Sequence, residues 1–144
     1  MPSRQRSRQY ALQMLYLLDM REQPVDEAIS SFYASLASED AEPTDDRDPF
    51  AEELVRGTLN NRVSIDQAIA KHSAHWRLDR MAVVDRNLLR LATYEMAHHK
   101  TPAAVVIDEA LELASKFCAP ESVSFLNGVL DAIRKGSEAP AGKS

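Results

Sequence analysis

The run from Val84 to Ile133, VDRNLLRLATYEMAHHKTPAAVVIDEALELASKFCAPESVSFLNGVLDAI, decides the fold. Three helical patterns succeed one another in it, punctuated by Thr101-Pro102 and Ala119-Pro120. In the first, Val84, Leu88, Leu91 and Ala92 recur at the three-and-four spacing of one helical face, while Arg86, Arg90, Thr93 and Ala97 follow another. Thr101 then offers a side-chain oxygen to the amides of the next helix, and Pro102 takes a first-turn position where its missing N–H costs nothing. That second helix runs Val106, Ala110, Leu113, Ala114 and Phe117 along a buried stripe, with Glu112 and Lys116 paired one turn apart on the solvent side. The third starts near Pro120 and buries Leu126, Val129, Leu130 and Ile133.

Two residues of the third helix contradict its pattern. Gly128 in a helix interior costs about 1 kcal/mol against alanine, and Asn127 favours turns. Close approach of a neighbouring helix over Gly128, with the Asn127 amide bonded to a loop or helix end, offsets that cost in the structural reading; direct contact with a ligand offsets it in the other. Phe125 falls at the edge of the apolar stripe, on the side of Glu121, Gly128 and Ala132, which predicts partial exposure.

Upstream, a helix from about Arg4 buries Ala11, Leu12, Leu15 and Leu18, with Tyr16 at the margin. Arg4, Arg6 and Arg8 occupy its first turns, and no acid precedes Asp19. Positive charge is unfavourable at the positive end of a helix dipole, so an anionic partner or a solvated tail are the two readings of this terminus. After Pro24 a second helix, Asp26 to about Ser38, turns Ala28, Ile29, Phe32 and Leu36 inward with Tyr33 alongside. The segment Glu39 to Asp48 reads as a solvated acidic linker. From Asp48-Pro49, a cap followed by a first-turn proline, one helix of roughly 35 Å is predicted as far as His72, a spine for the rest. Trp76 and Leu78 plug the joint that follows it.

Helices alternate with no credible strand run, so the class is all-α. With 144 residues and 44% hydrophobic content, the chain buries one core and needs no second domain. Within it we expect an N-terminal helical part, 1–74, a C-terminal one, 75–135, and a tail, 136–144. No run approaches the eighteen or so apolar residues of a membrane span, and the N-terminus lacks a signal sequence, so a cytoplasmic location is expected. The net charge of −5 argues against a chain coated with positive charge for nucleic acid.

Cys118 is the only cysteine, which excludes an intramolecular disulfide and a cysteine-rich zinc site; it reads as a half-buried thiol. His72, His75, His98 and His99 lack the carboxylate or thiolate neighbours of a metal site, so no metal or other cofactor is expected. Glu95 and Glu109 lie beside apolar positions and need partners; Arg90 is the nearest by helix adjacency, which favours a structural ion pair over a general acid. No catalytic triad, phosphate-cradling glycine loop or spaced carboxylate pair emerges, and only four glycines are present.

Four segments, taken in order, resemble the NusB family of bacterial transcription antitermination factors. They are Arg6-Ser-Arg-Gln-Tyr-Ala-Leu-Gln-Met-Leu-Tyr16, Val84-Asp-Arg-Asn-Leu-Leu-Arg-Leu-Ala-Thr-Tyr-Glu95, Val106-Ile-Asp-Glu-Ala-Leu-Glu-Leu-Ala-Ser-Lys-Phe117 and Glu121-Ser-Val-Ser-Phe-Leu-Asn-Gly-Val-Leu-Asp131. The resemblance implies six to seven helices in two small subdomains, no enzyme activity, and binding of boxA-type single-stranded RNA of ribosomal RNA transcripts together with the ribosomal protein NusE, at the transcription elongation complex. By position it implies that Arg4, Arg6 and Arg8 meet RNA phosphates and that Gln13 and Tyr16 lie near RNA or the partner. It further implies that Phe125 offers a stacking face, and that Asp85 and Glu121 face NusE and RNA respectively. Stacking and phosphate contacts are how single strands are held, and they give Phe125 a reason to be exposed. The basic segment is thinner than that role suggests, with three arginines and no lysine, and the acidic linker is longer and more negative.

Two rival readings stand beside it. One is a protein interaction module without direct RNA binding, with Phe125 in a homodimer interface. The other is a fragment of an RNA-modifying enzyme, since NusB-like domains also occur attached to RNA methyltransferases; the expected end at Ser144 leaves no room for a glycine-rich cofactor domain.

Overall fold

A computed structural model describes residues 3–39, 47–73 and 77–138. The acidic residues 40–46, His75, Trp76 and the tail from residue 139 onward, and with them the expected plug at Trp76, lie outside the described residues. Seven α-helices and no strand occur among those described: α1 (Arg4–Met20), α2 (Val25–Glu39), α3 (Pro49–Asn60), α4 (Arg62–His72), α5 (Val83–His98), α6 (Ala103–Phe117) and α7 (Pro120–Glu138), with a 3-10 turn at Leu78–Arg80 between α4 and α5. None of them is long and apolar enough to cross a membrane.

The organising element is α5. Every residue from Asn87 to Glu95 is buried, so both faces predicted from the sequence are covered, and α5 packs against α1, α3, α4, α6 and α7. The long helix expected over 49–72 does not form as one piece. It breaks at Asn61, whose side-chain amide donates to the Gly57 carbonyl at 2.8 Å while its backbone N–H reaches the same carbonyl, ending α3 before α4 begins. An asparagine pair with poor helix propensity makes the break, and the spine role passes to α5.

Side-chain caps hold α1 and α3, the second as the sequence predicted, but not α6. Ser3 accepts from the Arg6 N–H at 3.1 Å, and Asp48 accepts from the Ala51 N–H at 3.1 Å with Pro49 in the first turn. At α6 the cap is Pro102 itself, with no side-chain capping bond, so Thr101 does not play the role predicted for it.

A helix buried on all sides brings polar groups into the core, and those groups need partners. Asp19, at the end of α1, accepts from Arg86 Nε and Nη2 at 2.7 and 2.9 Å, from Asn87 Nδ2 at 2.8 Å and from Arg90 Nη1 at 3.2 Å. Arg90 also reaches Asp66 of α4, at 2.8 and 3.2 Å. Burial pushes the Asp19 carboxyl up, but the bonds from Arg86 and Asn87 and the charges of Arg86 and Arg90 outweigh it and hold the group at about 2. Tyr94 of α5 donates to Glu53 of α3, and burial followed by that bond pushes its hydroxyl up to about 12. A Cβ added at Gly57 would collide with the Tyr94 ring, so α3 meets α5 closely at this glycine.

Candidate nucleic-acid interface

The first two turns of α1 carry the three arginines, and the structure divides them. Arg8 is buried: its Nε and Nη2 donate to Glu95 Oε1 and Oε2 at 2.7 and 2.6 Å, and Glu95 is 1% exposed. The bonds to Glu95 hold the guanidinium above its ordinary value against the opposing effect of burial, and the nearby Glu109 charge adds to them. Glu95 therefore pairs with Arg8, not with Arg90 as helix adjacency suggested, and Arg8 is not available to a phosphate. An intrahelical neighbour was the wrong place to look, because both ends of α5 face other helices.

Arg4 and Arg6 remain exposed, with no acid in the first turn of α1. The Arg4 guanidinium sits 3.9 Å above the Phe50 ring, an arrangement that holds the cation at the surface without neutralising it. Arg6 makes no ion pair among the described residues. Gln5 donates to the Glu109 carbonyl of α6 at 3.0 Å and so ties this end of α1 to α6. Glu109 thus has a structural place, through its backbone and through its charge on Arg8.

Three turns further along α1, Gln13 and Tyr16 line a groove of about 480 Å³ with Leu12, Leu17, Phe32, Val84 and Phe117. Tyr16 is 40% exposed and Phe117 38%, and Gln13 Oε1 is buried without a hydrogen-bond donor among the described residues. Phe117 was predicted inside the core. It is the last residue of α6, where the apolar stripe outruns the core beneath it. Gln5 meets Glu109, and Tyr16 shares the groove with Phe117, so α1 and α6 touch at these two places while both pack on α5.

Asp85 and Cys118 meet near this groove. Asp85 is buried in the first turn of α5, one oxygen lacking a partner among the described residues. Cys118 follows Phe117; burial, then its hydrogen bond to Asp85, pushes the thiol up to about 12, which makes it unreactive. No group of three metal-ligating side chains exists among the described residues.

From Pro120, α7 folds back along α6 and carries Glu121, exposed, and Phe125, half-buried against the core. Asn127 and Gly128 are both exposed. A Cβ built at Gly128 meets nothing within 4 Å among the described residues, and no described side-chain hydrogen bond engages Asn127. Among the described residues, then, neither the helix packing predicted at Gly128 nor the tethered amide predicted at Asn127 is found. Helix α6 links the two regions: bonded to α1 through Gln5, packed along α7 beyond.

Exposed cations thus lie at one end of α1, an aromatic-lined groove at the other, and exposed polar residues on α7. The chain belongs to the NusB family, whose model matches residues 5–135. It is 54% identical, over 97% of its length and 94% of the relative's, to the transcription antitermination protein NusB of Solibacter usitatus (strain Ellin6076). Among solved structures it is similar to T. maritima NusB, with a TM-score of 0.78 at 33% identity over 93% of this chain and 92% of that one. It is also similar to a chain in the crystal structure of antitermination factors NusB and NusE in complex with dsRNA, with a TM-score of 0.78 at 28% identity over 92% of this chain and 96% of that one. Its curated relatives in that family are named transcription antitermination proteins.

Proposed function

We propose that this chain is a cytoplasmic transcription antitermination factor that binds boxA-type single-stranded RNA of ribosomal RNA transcripts together with NusE, at the transcription elongation complex. The observation that carries the reading is the likeness, across nearly the whole chain, to a NusB held in a complex with NusE and RNA. Arg4 and Arg6, exposed and without acidic neighbours in their turn, contact phosphates, and Phe125 gives a base a stacking face with Glu121 beside it. The groove at Tyr16 and Phe117, with the unpartnered Gln13 oxygen in its wall and Asp85 behind Val84, takes the protein partner.

The test is a titration of fluorescent boxA-type RNA, single-stranded and as a duplex, with and without NusE, across a salt series. Replacing Arg4 and Arg6 by alanine flattens the slope of log affinity against log salt by about 0.7 for each lost phosphate on a single strand. An unchanged slope removes the phosphate role, and preference for the duplex removes the single-strand reading.

A further inference from the structure

Thr58 lies in α3 and is 1% exposed, and its hydroxyl has no hydrogen-bond partner among the described residues. A buried hydroxyl left unpaired costs free energy. A helical threonine usually relieves that cost by bonding the carbonyl one turn back, which this one does not do. Valine has nearly the same shape and a similar helix propensity, so packing alone gives no reason for a hydroxyl at this position.

The hydroxyl borders a small cavity. It measures about 20 Å³, lies where α1, α3, α4 and α5 meet, and is lined by three leucines together with Thr58, Asp19, Arg62, Asn87 and Arg90. A single water needs about 10–15 Å³ and two to four polar partners, so the space suits one such molecule and nothing larger.

The surrounding charges fix the chemistry of the occupant. Arg86 and Arg90 bond Asp19, Arg90 also bonds Asp66, and the Arg62 guanidinium lies 3.6 Å from Asp66. Guanidiniums gathered in this way repel a cation, and an anion would face the Asp19 carboxylate, so a neutral molecule is favoured. The means to hold it are present too. Asp19 Oδ2 accepts from Arg86, Asn87 and Arg90, while Oδ1 accepts from Arg86 alone. A carboxylate oxygen has about two lone-pair sites, which leaves Oδ1 able to accept once more.

We infer that one ordered water occupies this cavity, accepting from the Thr58 hydroxyl and donating to the Asp19 carboxylate. Through it α3 joins the network that Asp19, Arg90 and Asp66 form among α1, α5 and α4. The site is independent of the RNA-binding reading.

The test is a high-resolution crystal structure of the full chain, unsubstituted and as Thr58→Val and Thr58→Ser, with thermal melts of each. Expected is density for one water within hydrogen-bonding reach of Thr58 Oγ1 and an Asp19 oxygen, kept in Thr58→Ser and lost in Thr58→Val. Thr58→Val keeps the shape and removes the anchor, so Tm falls by about 3 °C, the scale of one lost hydrogen bond in a chain of this size. A hydroxyl that is merely unpaired gives the opposite sign. Thr58→Val then sheds a buried polar group at no loss, and a Tm that stays or rises overturns the inference. Density showing Thr58 bonded directly to a protein group, or none between Thr58 and Asp19, overturns it whatever the melts show. Density that persists in Thr58→Val assigns the water to other groups and overturns it too. Should Thr58→Val fail to fold, the unsubstituted and Thr58→Ser crystals decide by the same criterion.

Discussion

Replacing Arg8 and replacing Arg6 should have opposite signatures although two residues separate them. The Arg8–Glu95 pair is bidentate at 2.7 and 2.6 Å, with side-chain exposures of 8% and 1%. Arg8→Ala strands the buried Glu95 carboxylate in the last turn of α5, and breaking such a pair from one side costs about 3–5 kcal/mol. Against a typical domain stability of about 5–15 kcal/mol that is a large share, and for a chain of this size it lowers Tm by about 12 °C. Arg6→Ala, at an exposed site, leaves Tm within about 1 °C, as surface changes do. Removing both members with apolar replacements, Arg8→Met with Glu95→Leu, recovers most of the loss, since the penalty lies in the unpaired charge and not in the absence of the pair. Urea and thermal melts of Arg8→Met, of Glu95→Leu and of the double variant close the cycle and give the coupling directly. An Arg8→Ala protein that melts with the unsubstituted chain refutes the reasoning, as does a double variant no more stable than the worse single one.

Two further outcomes follow from the core. Asp19 is held at about 2, below its ordinary unfolded value near 3.9, so it contributes stability that is fully present above about pH 5 and is lost as pH falls towards 2. Asp19→Asn should therefore flatten the acid limb of a stability-against-pH curve from urea melts, by an amount on the order of 2 kcal/mol between pH 5 and pH 2; an unchanged limb refutes the charge network as its source. Gly57→Ala should lower stability by about 1–3 kcal/mol, because the new methyl meets the Tyr94 ring while Glu53 holds its hydroxyl; a variant as stable as the parent in thermal melts shows that the ring moves freely.

Periodicity carried most of the fold. The stripes of α1, α2, α6 and α7 were legible because one apolar face against water is a simple code, and the prolines at 24, 49, 102 and 120 stand at or near helix starts. It placed α5 as well, by two faces rather than one, and failed at Asn61, where two adjacent asparagines end a helix without a proline or glycine. The candidate site was half legible. Three arginines spaced by two look alike in a sequence, yet only tertiary packing reveals that Arg8 turns inward to an acid 87 positions away. Asn127-Gly128 was visible as an anomaly, but whether a neighbour or open space lay over it was a fact about other helices.

One small fastening near the start of α3 has a consequence for how this chain tolerates change. Tyr33 on α2 accepts from the Asp48 N–H at 2.8 Å, Ser7 on α1 donates to Asp48 Oδ2 at 2.6 Å, and Asp48 caps α3, so a single aspartate gathers three helices. Asp48 is thus a hasp closed by the protein's own side chains, and its removal is felt by three helices together. Asp48→Ala is expected to take a bond from α1, a bond from α2 and the cap of α3 in one substitution, and so to cost more than the roughly 1 kcal/mol of an ordinary cap replacement.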